Sequence, residues 1–146
     1  GPWAAAAGPS GTAALWPYRV ILKEADPVGI ADWEQQSGLD AAHAARIATV
    51  LSAFGVTEPP PGRETVAGEE FPDRPIADLV AMDSAAAAGR VGETVLRALA
   101  MLGQGGPARA HPLVLRRVLA DLDLVHLHDE AHALAFEAIT ATLLGH

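Results

Sequence analysis

The chain has 146 residues, half of them apolar and only 5% aromatic, with 18 acidic side chains against 10 basic ones and no cysteine. That length fits one domain around one core. A net charge of -8 repels phosphate backbones and anionic headgroups, so neither nucleic acid nor a membrane surface is an expected partner. Without cysteine there is no disulfide framework, thiolate nucleophile or thiolate metal site, and no uncharged apolar run reaches the roughly 18 residues of a membrane span.

Gly1-Pro2 reads as the remnant of a tag-cleaving protease site, so the natural sequence is expected from near Trp3. Residues 3–16 (WAAAAGPSGTAALW) show no helical stripe, and no basic stretch leads into a long apolar one as in a secretory signal. Residues 1–18 are therefore expected to be an extended arm. Trp3, Trp16 and Tyr18 would anchor it, to its own domain or to a partner chain. Pro17 to Leu22 suits a short extended stretch with no ladder partner, so no sheet is expected.

From Asp26 the punctuation is helical. Asp26 as N-cap and Pro27 at the first position open a helix over about 27–36, ended by Ser37-Gly38. Asp40 caps a second, over about 41–54, whose Ile47, Val50, Leu51 and Phe54 share a face. The stretch 55–73, rich in proline and glutamate, reads as a long acidic loop. A third helix over about 74–88 is given the face Ile76, Leu79 and Val80. A fourth carries the stripe Val91, Val95, Leu99 and Leu102, stopped by the glycines at 103–106. Pro112 opens a fifth, with Leu115, Val118, Leu119 and Leu122 inward. The sixth starts at His128-Asp129, with Ala131, Leu134, Ala135, Ala138 and Ile139 on one side.

The expected fold is all-α: about six helices forming a single domain over 19–146, the last four paired as two stacked hairpins in a repeat-like or bundle arrangement. A shift of 37 residues places Glu93 on Glu130, Ala98 on Ala135 and Ala81 on Val118. In EAHALAFEAI the small residues Ala131, Ala135 and Ala138 have the spacing of the second helix of a tetratricopeptide-type repeat, which the segment resembles. The Trp, Gly and Tyr of that repeat's first helix have no counterpart. The resemblance implies stacked helical hairpins and a groove that takes protein segments. Residues 89–139 are also similar to Ala- and Leu-rich C-terminal segments of uncharacterised alphaproteobacterial proteins, which implies a bacterial source. Cytoplasm and periplasm both suit a soluble chain without cysteine.

The densest polar cluster is His126, His128, Asp129, Glu130 and His132. His128 and His132, four residues apart on one helix face, can reach a common zinc or other divalent ion, with His126 or a neighbouring carboxylate as third ligand. The spacing approaches that of a zincin helix, but Asp129 stands where the general-base Glu belongs. Gly89 to Thr94 lacks the lysine of a phosphate loop and offers Glu93 instead. Arg109, Arg116 and Arg117 suit a solvated face with local ion pairs, and none of the four serines sits in a nucleophile elbow. Asp83 and Ser84 interrupt an apolar face and are candidates for a small polar pocket.

These observations favour a non-enzymatic scaffold or adaptor. It would bind a protein partner, or itself, through Trp3, Trp16 and Tyr18 or through a helical groove, and it needs no cofactor. A histidine-based metal-binding domain and a small-ligand or enzyme-accessory domain with an interhelical pocket are the alternatives.

Overall fold

The computed structural model describes residues 11–55 and 75–145. Trp3 and residues 56–73 of the acidic loop lie outside them. Among the described residues the chain is all-α, with eight helices and one 3-10 turn and no strand. In chain order they are α1 (Gly11–Ile21), the turn Pro27–Gly29, α2 (Ile30–Gln36), α3 (Ala41–Ser52), α4 (Pro75–Ala87), α5 (Val91–Leu102), α6 (Gly106–Arg109), α7 (Pro112–Leu124) and α8 (His128–Leu144). None is long and apolar enough to cross a membrane.

The extended arm expected over 1–18 is overturned where it is described, because residues 11–21 are helical with a proline inside. Proline has no N–H to give the carbonyl four residues back, which for Pro17 is Ala13. The indole of Trp33 on α2 donates to that carbonyl at 2.7 Å. Trp16 stacks on the same Trp33 ring, with centroids 5.5 Å apart and planes 20° from parallel. A tertiary contact thus supplies the donor that the local sequence lacks. Ala13, Pro17, Val20 and Ile21 then form a buried stripe facing α3 and α8.

The caps read from the sequence are in place. Asp26 accepts from Val28 N at 3.0 Å, although the segment it opens divides into the 3-10 turn and α2. Asp40 accepts from His43 N at 2.8 Å and caps α3. The four-residue α6 was not expected. Its chain direction is held by Arg46 of α3, whose guanidinium donates to the carbonyls of Pro107, Ala108 and Ala110, the last at 2.7 Å.

The centre of the molecule is α3 and α7, packed on each other. α8 lies against both, and α4 and α5 lie on the other side of α7. Ile47, Leu51, Met82, Leu115, Leu119 and Ile139 are fully buried there. With so few aromatics, close approach depends on alanine: Ala48, Ala85, Ala131 and Ala135 are fully buried at helix contacts.

The last four long helices pair as two hairpins, α4 with α5 and α7 with α8, and α7 packs on both α4 and α5. The hairpins keep one register. Pro75 and Pro112 open their first helices 37 residues apart, and Val91 and His128 open their second helices at the same offset. The turns match as well. After α4, Gly89 is left-handed (φ 75°), and Arg90 N donates to Ala85 O at 2.9 Å. After α7, His126 takes the equivalent left-handed place (φ 68°), and Leu127 N donates to Leu122 O at 2.9 Å. Both ends are Schellman closures, in which the left-handed residue is ordinarily glycine.

Two of the expected helix faces are rotated. On α4 the buried positions are Leu79, Met82, Ala85 and Ala86, while Ile76 and Val80 are 73% and 59% exposed. On α5 the buried positions are Thr94, Ala98 and Leu102, while Leu96 and Leu99 are 69% and 59% exposed. A threonine suits the buried face because its hydroxyl donates to Arg90 O one turn back, at 2.8 Å.

Candidate functional site

The residues expected to anchor an arm turn inward. Trp16 lies over Trp33 with Gly29 beneath its ring, a place where any Cβ would meet the indole at 3.7 Å. The Tyr18 hydroxyl forms a hydrogen bond with the Thr140 hydroxyl of α8 at 2.6 Å, and its ring packs on Phe136 at 5.4 Å. Both side chains are half-buried against the core of their own domain. Trp16 and Tyr18 therefore fasten α1 down instead of presenting it, and Trp3 lies outside the described residues.

The three histidines are neighbours without converging. His128 Nδ1 is hydrogen-bonded to the Asp123 carboxylate at the end of α7. His126 meets the His128 ring edge-on at 5.8 Å, and its backbone carries the Schellman turn. His132 faces Phe54 at 5.6 Å and Phe136 at 6.2 Å. Among the described residues no three His, Asp or Glu side chains are grouped to hold a metal ion. His128, His132 and Asp123 do share an open cleft of about 460 Å³ with Lys23, Ile21 and Phe54.

The other expected polar sites resolve into structural pairs. Asp83 is bridged to Arg117 and ties α4 to α7. Glu93, where a phosphate loop would carry lysine, lies between Arg90 at 3.0 Å and Arg97 at 3.7 Å. Asp121, one turn beyond Arg117, is only 7% exposed, and its Oδ2 has no hydrogen-bond partner. Burial raises its carboxyl above the ordinary carboxylate range, against the opposing attraction of the Arg117 charge.

The surface feature of a different kind is a groove of about 300 Å³ between the second helices of the two hairpins. One wall is Val95, Ala98, Leu99 and Leu102 of α5. Leu122 and Leu127 contribute where α7 turns into α8, and the opposite wall is Glu130, Ala133 and Leu134 of α8. Glu130 is the sole charged side chain lining it. Glu137 is exposed two helical turns further along the same α8 face, and among the described residues neither glutamate has a cationic partner. The sequence stripe contained Leu99, but assigned it to the core. The usable signal was that Ala98 and Thr94, being small, are better placed at a close helix contact, which rotates Leu96 and Leu99 outward.

No family model matches the chain, and no curated protein and no solved structure is significantly similar to it. The functional reading therefore rests on the geometry alone.

Proposed function

We propose that this domain is a non-enzymatic scaffold or adaptor module, and that its partner docks in the groove between α5 and α8 and not on an N-terminal arm. The observation that carries the proposal is the outer wall of α5. Leu99 is 59% exposed at the groove and Leu96 is exposed beside it, two large apolar side chains facing solvent. A contiguous apolar groove rimmed by charge is the surface expected of a protein-binding site. The common register of the two hairpins supports the same reading, because paired helices stacked in one register leave an open channel between equivalent members.

The test is affinity capture from source cells with the wild-type domain and with Leu99→Asp and Ala133→Asp variants, both at exposed groove positions. The expected result is one enriched protein that both variants lose, while their melting temperatures stay within about 3 °C of wild type. Undiminished capture by both variants would place the binding surface elsewhere.

A further inference from the structure

Resting on that reading, the charge around the groove selects the kind of segment that enters it. α5 puts no charged side chain into the groove lining; its Glu93 lies between Arg90 at 3.0 Å and Arg97 at 3.7 Å outside that lining. The charge at the groove comes from α8, where Glu130 lines it and Glu137 stands on the same face two turns on. In an α-helix, residues 130, 133, 134 and 137 fall within about one third of the circumference, so the apolar positions Ala133 and Leu134 lie between the two carboxylates. The chain as a whole carries -8. We propose that the occupant is a basic amphipathic helix of another protein, which sets leucine-like side chains against Leu99, Leu102 and Leu134 and a lysine or arginine against Glu130 and Glu137.

The apolar walls supply the contact area, and the carboxylates supply the choice of partner. A helix with acidic flanks brings like charges together at the rim of a low-dielectric groove, whereas a basic one pairs them. A second copy of this chain is disfavoured by the same charge, because two acidic rims would face one another. A helix docks here in preference to an extended strand because the groove runs between two helices and offers no unpaired backbone edge.

The experiment uses two fluorescein-labelled amphipathic peptides of about 18 residues, one with leucine and lysine and one with leucine and glutamate in the same pattern, long enough for five helical turns. Binding to the full chain is read by fluorescence anisotropy at about 0.15 M salt, where long-range attraction to an acidic protein is largely screened. The lysine peptide is expected to bind at least about tenfold more tightly than the glutamate peptide. Glu130→Lys/Glu137→Lys should remove or invert that preference, and Leu99→Asp should abolish binding of both peptides with unchanged circular dichroism. Equal binding of the two peptides, or an unaltered preference in the double variant, would overturn the basic partner while leaving a helix-binding groove. Binding of neither peptide, or undiminished binding by Leu99→Asp, would overturn the groove itself. A concentration-dependent dimer in sedimentation, lost in Leu99→Asp, would replace the foreign helix with a second copy.

Discussion

Several polar residues that suggest chemistry when read in sequence hold turns and caps together. His126 sits at a left-handed position (φ 68°) that closes the α7 helix. Such a conformation costs a side-chain-bearing residue about 1 kcal/mol or more. His126→Gly should therefore stabilise the domain by roughly 0.5–1 kcal/mol in urea denaturation, after the greater chain entropy of glycine is subtracted. A loss of stability would mean that the imidazole makes a contact worth more than the strain. Asp121 gives a second prediction, with a definite sign. Its folded-state carboxyl is raised above the ordinary 3.8, so the proton is favoured in the fold. The stability attached to it is fully present below 3.8 and is lost as pH rises through the raised value. Asp121→Asn mimics the neutral form and should be more stable than wild type at pH 7. That advantage should shrink to nothing near pH 3, and an equal or greater advantage there would contradict the assignment. Asp40 behaves in the opposite sense. Its backbone and side-chain hydrogen bonds with His43 hold its carboxyl below 3.8, so the cap contributes above that pH and fades as pH falls through the lowered value.

At the scale of elements, α1 shows a helix whose continuity depends on a side chain from another helix. Trp33→Phe keeps most of the ring stacking with Trp16 but removes the indole donor that reaches Ala13 O at 2.7 Å. The expected loss is about 1–3 kcal/mol, read as a lowered denaturation midpoint with an unchanged slope. In a Pro17→Ala background an N–H becomes available to the same carbonyl, so the cost of Trp33→Phe should fall. Additive losses in that double-mutant cycle would show that the indole does not stand in for the missing amide. This element also explains why part of the fold was illegible in the sequence. Caps such as Asp26 and Asp40, and the long stripes of α3 and α7, are local signals and appear at their expected places. The helicity of residues 11–21 depends on Trp33, more than a dozen residues away, and the internal proline argues against it. On α4, periodicity showed that a helix was present, but its alanine-rich sequence makes two faces nearly equivalent in hydropathy; on α5 the apolar face is distinct, yet it turns towards the groove and not into the core. Small size at a close contact, not hydropathy, chose the face that Thr94 and Ala98 occupy. That choice turned Leu99 from an expected core residue into a groove residue.

Over the whole molecule, the arrangement separates a fastened face from an open one. α1 is held to α2, α3 and α8 by Trp16, Trp33, Tyr18 and their hydrogen bonds. α5, packed on α4, α6 and α7, leaves its leucines along the α8 groove. The 37-residue register read from the sequence as a loose match of Glu93 with Glu130 is also the register of the helix starts and turn closures. Hence the groove lies between equivalent helices. If docking depends on this open face, then Leu96→Lys/Leu99→Lys should leave the melting temperature within about 3 °C of wild type, because exposed leucines contribute little to the domain's own core. A larger fall would show that they are needed for folding. The most direct test of the groove as the binding surface is a methyl NMR titration of the full chain with the leucine and lysine peptide, following Leu99, Leu102, Leu127 and Leu134. The account predicts saturable shifts concentrated on the methyl groups of these four leucines, with Val20 and Ile21 of α1 unchanged. Shifts centred on α1 or on the cleft around His128 and Phe54, with the groove leucines silent, would contradict it.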